Sequence, residues 1–285
     1  MLYRGCGRPR RKSPPVGRAA WKDPLVEILF IGDVVGAPGR RLVSERATAL
    51  KDEYGASLVI ANVENVAGGA GVTAETVAQL TQAGVDVATT GNHVFAHREA
   101  VDAMDDMPTL LRPLNYPPGV PGRGWLVAAT PEGHKVAVIN AQGRVFMDAL
   151  DCPFRALDAA LAVLAKRARV VVVDFHAEAT SEKEAMARYL DGRVTALIGT
   201  HTHVQTADER VTPEGTAYIT DVGMTGPADG VIGTEAAPVL RRFISRMPAR
   251  FKPARGAGVL SAVVISVDPE TGCATAIKRV QEREE

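Results

Sequence analysis

The stretch Val26-Glu27-Ile28-Leu29-Phe30-Ile31-Gly32-Asp33-Val34-Val35-Gly36 decides how this chain folds. Its first half is apolar save for Glu27, with β-branched residues at Val26, Ile28 and Ile31. So short a run, with no polar face, is the pattern of a strand covered on both sides. Gly32 then frees the backbone to turn, and Asp33 stands just past the strand end. The same arrangement, a buried run followed by a polar residue, recurs down the chain. Residues 26–31, 58–61, 85–89, 136–139, 170–173, 196–198, 217–220 and 259–267 read as strands. Between them, residues 39–54, 74–83, 155–167, the stretch after Thr180 and residues 236–245 carry helical patterns. Pro38 suits a first helical turn, Thr73 an N-cap, and Ser181 with Glu184 a capping box. Alternation of this kind implies a layered α/β fold around a central sheet. No repeat or linker interrupts residues 26–285, so one domain is expected there.

Composition narrows the class. Of 285 residues, 46% are hydrophobic and only 5% aromatic, so the core must be aliphatic. Net charge is zero but uneven: residues 1–25 hold seven basic side chains against Asp23 alone, which leaves the body mildly acidic. A broad nucleic-acid-binding face is therefore not indicated. Residues 1–25 read as a disordered basic N-terminal extension, with Val26 as an alternative start. Arg10-Arg11 is followed by no apolar stretch of export-signal length, and no run is long enough to span a membrane. Three scattered cysteines, Cys6, Cys152 and Cys273, form no disulfide framework and suit a reducing cytoplasm. The expected partner is the protein itself, as a homo-oligomer.

The chemistry lies in where the polar residues fall. Asp33, Glu64-Asn65, Asn92-His93, His176, and His201 with His203 each follow the C-terminal end of an expected strand. Ligands of open α/β sheets bind outside those ends, so strands sharing one parallel sheet would bring all five clusters to one edge. Carboxylate, imidazole and amide oxygen together form a donor set suited to Fe, Mn, Co or Zn rather than Ca. A lone strand-end Asp is more often a turn or cap, and a lone His-x-His is often incidental. Their conjunction is what points to a metal site. Asp174, Glu178 and Asp221 stand near enough in sequence to support the ligands from behind.

These motifs resemble the calcineurin-like metallophosphoesterase superfamily. The order is Gly32-Asp33-Val34-Val35-Gly36, Val63-Glu64-Asn65, Gly91-Asn92-His93, His176, then Gly199-Thr200-His201-Thr202-His203. Val35 replaces the common histidine of the first motif, and Glu64-Asn65 the common Gly-Asp of the second. Both departures are shared with the bacterial YmdB-like 2′,3′-cyclic-nucleotide 2′-phosphodiesterases. Residues 111–116, 174–183, 199–206 and 220–227 are similar to that group as well. The resemblance runs from about Val26 to the C-terminus. It implies a metallophosphoesterase-type α/β fold, central β-sheets flanked by helices, and two transition-metal ions, Fe or Mn first, Zn or Co as alternatives. Glu64 would bridge them. Asp33, His203 and Asn65 would complete one site, and Asn92, His176 and His201 the other. A hydroxide shared by the ions would attack phosphorus of a 2′,3′-cyclic nucleotide, giving a 3′-nucleotide. His93 would protonate the leaving 2′ oxygen. Relatives often carry an acidic residue next to this histidine, but Val94 stands here, so the sequence names no partner for it. Arg112 and Arg144 are candidate phosphate contacts, and Asn115 a candidate base or ribose contact. RNA-derived fragments are a further substrate class.

Other families fit the residues less well or share them in part. Amidohydrolases carry His-x-His on their first strand, whereas here it comes late. A Rossmann oxidoreductase would need G-x-G-x-x-G after the first strand, which is absent. A phosphoesterase acting on phosphomonoesters or linear diesters would share the same metal ligands. A regulatory protein that binds cyclic nucleotide or RNA without turnover is the alternative of another class.

Overall fold

Buried strands need both faces covered, and the unbroken apolar runs find that cover in a stack of helix, sheet, sheet and helix. The computed structural model describes residues 25–284. Residues 1–24, which hold Cys6 and nearly all of the expected N-terminal extension, lie outside the described residues. Along the chain come β1 (Val26–Ile31), β2 (Asp33–Val34), α1 (Gly36–Tyr54), β3 (Ala56–Asn62), α2 (Ala74–Gln82), β4 (Val87–Thr89) and α3 (Arg98–Ala103). Next are β5 (Trp125–Ala129), β6 (Lys135–Gln142), α4 (Pro153–Leu164), β7 (Val170–His176), α5 (Thr180–Leu190) and β8 (Ala196–Thr200). The chain closes with β9 (Arg210–Val211), β10 (Ala217–Ile219), β11 (Met224–Pro227), α6 (Ala236–Ser245), β12 (Gly258–Val267) and β13 (Ala274–Arg283).

The strands form two sheets, as the family resemblance implies, where alternation along the chain alone pointed to one central sheet. The first runs β2-β11-β12-β1-β3-β4, with β13 beside β12, and the second runs β5-β6-β7-β8-β10-β9. In the first, β1, β3 and β4 are parallel, while β12 joins β1 antiparallel with Leu29 opposite Val264. In the second, β6, β7, β8 and β10 are parallel, with antiparallel β5 and β9 at the edges. Alternation along β1 sorts its side chains. Ile28 and Phe30 face the second sheet, packing in one cluster with Val138, Val172 and Ile198. Leu29 and Ile31 face α1 and α2, meeting Val43, Leu50 and Leu80. On the far side of the second sheet, Leu157 and Leu164 of α4 and Met186 and Leu190 of α5 cover Ile139, Val173 and Phe175. Each large aliphatic side chain buried this way contributes roughly 1.5–3 kcal/mol.

Local signals were met unevenly. Thr73 caps α2, accepting from the Thr76 N–H at 3.2 Å. The capping box expected at Ser181 and Glu184 does not form: α5 begins at Thr180, its N-cap is Ala179, and no side chain caps it. Glu184 instead pairs with Arg210 at 2.9 Å. Strand β13 escaped the sequence reading because Lys278, Arg279, Glu282 and Arg283 interrupt its apolar pattern, as suits a solvent-facing edge strand. No helix among the described residues is long and apolar enough to cross a membrane.

The two sheets meet where residues 220–226 pass from β10 to β11. Along that passage Val222 donates to the Gly199 carbonyl, Gly223 accepts from Asp33, Met224 donates to His203, and Thr225 accepts from Val35. A Cβ at Gly199 would overlap the Thr220 carbonyl, so only glycine allows this approach. The strand-end loops of both sheets are thereby tied to one segment.

Candidate metal centre

The five polar clusters do converge, although from two sheets. Asp33, Glu64 and Asn92 follow β1, β3 and β4 of the first sheet; His176, His201 and His203 end or follow β7 and β8 of the second. His176 is fully buried at the centre. Its Nε2 lies 3.1 Å from Glu64 Oε1, 3.1 Å from Asn92 Oδ1 and 2.9 Å from His201 Nδ1. Its Nδ1 lies 3.8 Å from Asp33 Oδ1. Glu64, His176 and His201 present ligand atoms all within 4.8 Å of one another. His203 stands on the other side, its Nε2 3.3 Å from the Asn65 amide nitrogen. Backbone must come very near here: a Cβ on Gly91 would overlap both His176 and Glu64.

Burial and like charge make this arrangement costly without a cation. Burial lifts the Asp33 carboxyl to about 7, opposed by His203 and His176 and reinforced by Asp221 and Glu64. Burial also works against ionised Glu64, yet His176 and His93 hold its carboxyl down at about 2. Burial would neutralise His176, but Glu64, Asp33 and Asp174 around it raise the ring to about 9. His201, buried beside His176, falls to about 3. Asp33 Oδ1 is buried with no hydrogen-bond partner. An orphaned carboxylate oxygen beside a second buried carboxylate and three imidazoles is a donor set that divalent transition metals fit.

The support behind the ligands is largely hidden from the sequence. His176 Nδ1 meets the Thr200 hydroxyl at 2.9 Å, and that hydroxyl donates to Asp174 at 2.7 Å. Asp174 also accepts from Asn62 at 2.9 Å and from Thr89. His201 Nε2 faces Glu178 at 3.0 Å. Asp221 accepts from the N–H and hydroxyl of Thr202, between the two histidines, and from buried Lys183 at 2.9 Å. His201 and His203 sit at φ 97° and 66°, a left-handed region uncommon for residues other than glycine, so this bracing holds a strained turn. His203 Nδ1 is anchored by the Ile232 carbonyl at 3.0 Å. Asp174, Glu178 and Asp221 were legible as neighbours; Thr200, Lys183 and Ile232 were not.

His93 is half exposed and lines the cleft above the ligands. Its backbone N–H donates to Glu64 at 3.2 Å, and its Nδ1 lies 3.0 Å from Asn65 Oδ1. Asn65 is thus the partner that Val94 does not provide. Asn65 lies inside the cluster where the ligand expectation places it, its amide oxygen against His93 and its nitrogen facing Glu64 at 3.2 Å and His203.

Two residues expected at the substrate lie away from the cleft. Arg112 donates from three nitrogens to the carbonyls of Pro113, Val120 and Pro121, and holds that loop. Asn115 is buried and its amide is saturated by the Gln142 and Asp151 backbone. Neither lines the cleft. Arg144 is exposed on the loop after β6, its N–H held by Glu182 at 3.0 Å.

The cleft holds about 440 Å³. Its floor carries Glu64, Asn65, His93, His201 and His203, and one wall comes from the segments around Ile232 and Phe251.

Comparison with known proteins agrees with this geometry. A family model described as YmdB-like protein matches residues 29–280. A Bacillus subtilis protein named 2′,3′-cyclic-nucleotide 2′-phosphodiesterase is 49% identical over 255 residues, covering 90% of this chain and 96% of its own. A Mycoplasma genitalium protein named as a putative phosphatase/phosphodiesterase is 34% identical over 265 residues, covering 90% of this chain and 92% of its own. Among solved structures, a Thermus thermophilus hypothetical protein superposes with a TM-score of 0.85 at 43% identity, over 91% of this chain and all of that one. One described as a novel phosphatase from Mycoplasma pneumoniae gives 0.86 at 34% identity, over 92% of this chain and 94% of that one.

Proposed function

The chain belongs to the YmdB-like family, and from that premise we propose that it hydrolyses 2′,3′-cyclic nucleotides to 3′-nucleotides as a metal-dependent phosphodiesterase. The observation that carries the reading is the pairing of a buried ligand cluster with a cleft-facing His93 directly above it. Its residues 26–285 act as one catalytic domain.

Two transition-metal ions are the proposed cofactors, Fe or Mn ahead of Zn or Co. Glu64 would serve both, with Asp33, His203 and Asn65 on one and Asn92, His176 and His201 on the other. When bound, such ions neutralise charge on phosphoryl oxygens and acidify water. The protein's own groups do the rest. Asp174, through Thr200, fixes the ring plane of His176. Asp221 and Lys183 fix the turn that carries His201 and His203. Hydrolysis adds water to phosphorus and breaks the bond to O2′, and the departing 2′ oxygen needs a proton. His93 supplies it, with its other ring nitrogen steadied by Asn65. Arg144 remains a candidate phosphate contact from the loop beside the site. A cytoplasmic location and a homo-oligomeric state belong to the same proposal.

The decisive experiment measures bound metal per chain after anaerobic purification and assays the same sample with 2′,3′-cyclic AMP. About two transition-metal ions per chain and 3′-AMP as product are expected. Bound metal without turnover would move the substrate to a phosphomonoester or linear diester. Absence of both, even with Mn or Fe added, would overturn the enzyme reading.

A further inference from the structure

The cleft has two chemically different halves, and the reaction uses only one. Opposite the ligand floor, residues 231–234 form a tight turn in which Val231 and Thr234 exchange backbone hydrogen bonds of 2.8 and 3.0 Å. Both central residues are left-handed, Ile232 at φ 45° and Gly233 at φ 84°. Asn or Gly would occupy the Ile232 position with little strain, whereas a β-branched residue there is a genuine outlier. Thr234 bridges to Pro253, and Glu235 donates to the Lys252 carbonyl, which brings residues 251–253 alongside the turn. Ile232 and Phe251 are 50% and 43% exposed, and both line the cleft with Pro253. Arg242 lies over the Phe251 ring, 5.4 Å from its centroid, and backs it. The turn is also registered to the ligand floor, because the Ile232 carbonyl is the one that holds His203.

We propose that Phe251 and Ile232 form a nucleobase subsite, the platform on which the base of the nucleotide rests while its phosphate lies over the ligand floor. The proposal rests on the phosphodiesterase reading and names the part of the substrate that reading leaves open. The flat π-face of a base matches a wall of Phe, Ile and Pro. An anionic phosphate matches a floor prepared for cations. Lys252, with no ion pair among the described residues, adds positive charge where the halves meet. Stacking on an aromatic face tolerates every base, so the subsite selects nucleotides as a class rather than one base among four.

The test is calorimetric titration of the metal-loaded protein with 3′-AMP and with methyl riboside 3′-phosphate, which lacks the base. The wild type, Phe251→Ala, Phe251→Trp and Ile232→Ala are compared, and cyclic-AMP hydrolysis is assayed on the same wild-type sample. The base should tighten binding to the wild type by at least about fivefold, as expected of one stacked base. Phe251→Ala should abolish most of that preference, Ile232→Ala should reduce it, and Phe251→Trp should keep it. Equal binding of the two ligands to the wild type, or a preference that survives Phe251→Ala, overturns the subsite. If the wild type shows the preference but turns over no cyclic AMP, the subsite stands and the reaction assignment falls.

Discussion

Asp221→Ala would strand the Lys183 ammonium in the interior. Asp221 is fully buried and Lys183 is 1% exposed. The carboxylate takes Lys183 Nζ at 2.9 Å, the Thr202 N–H at 2.9 Å, the Thr202 hydroxyl at 2.6 Å and the Gly223 N–H at 2.8 Å. Removing one partner of such a pair leaves an uncompensated buried charge and costs about 3–5 kcal/mol. Lys183→Met removes the other partner, but Asp221 keeps three donors, so its cost should be about 1–3 kcal/mol. The double variant leaves no stranded charge and should fall short of the sum of the singles by about 1–3 kcal/mol. Urea unfolding of the metal-free proteins, followed by circular dichroism, gives all three values. If Lys183→Met proves as damaging as Asp221→Ala, or if the two add without coupling, the account of Asp221 as a multiply supported anion is wrong. The same carboxylate braces Thr202 between His201 and His203. Asp221→Ala should therefore also weaken metal retention by about 10- to 100-fold, read by competition with a chelating dye.

Other consequences follow from the same cluster. Free in the unfolded chain, Asp33 ionises near 3.8, but the folded protein holds its proton until about 7. Metal-free stability should therefore fall as pH rises through that window, and Asp33→Asn should melt above the wild type at pH 8; a wild type that gains on the variant between pH 5 and 7 would contradict this. Adding Mn²⁺ at pH 8 should raise the wild-type melting temperature more than that of Asp33→Asn, since an ion that binds only the folded state stabilises it by mass action. Asn65→Ala frees the His93 ring and should lower kcat by about 10- to 100-fold. An unchanged kcat would remove His93 from the proton transfer or Asn65 from its support. Gln142 buries both amide atoms without a partner. Gln142→Leu should accordingly stabilise the protein by about 1–3 kcal/mol in thermal unfolding, and a loss instead would mean that water satisfies the amide.

The convergence of the polar clusters was readable in advance because each follows a buried run, and strand ends can be located from hydrophobic pattern alone. Which sheet each strand joins was not. Residues 26–31 and 170–173 look alike in sequence, yet they lie in different sheets, since long-range pairing leaves no local mark. Helix α6 matched its pattern in full, whereas α5 did not use its apparent capping box: Arg210, distant in sequence, drew Glu184 away. Arg112 and Asn115 sit away from the cleft for a related reason. Arg112 and Asn115 have chemistry that suits phosphate or base, but backbone carbonyls and amides nearer in space claimed them first. The cleft wall at Ile232 and Phe251 carried no signal, because a turn residue is conspicuous only once its φ is known.

The placement of β12 has a consequence for how the protein is made. β1 carries the Asp33 loop and sits between β3, its near neighbour in sequence, and β12, which follows every strand of the second sheet. A ribosome delivers β3 within moments of β1 but β12 only after the whole second sheet. Until then β1 shows an open edge of unpaired N–H and C=O groups. Late, non-local pairing of this kind folds slowly. The side chains gathered around His176 therefore settle only once β12 has emerged, and until then that edge needs protection.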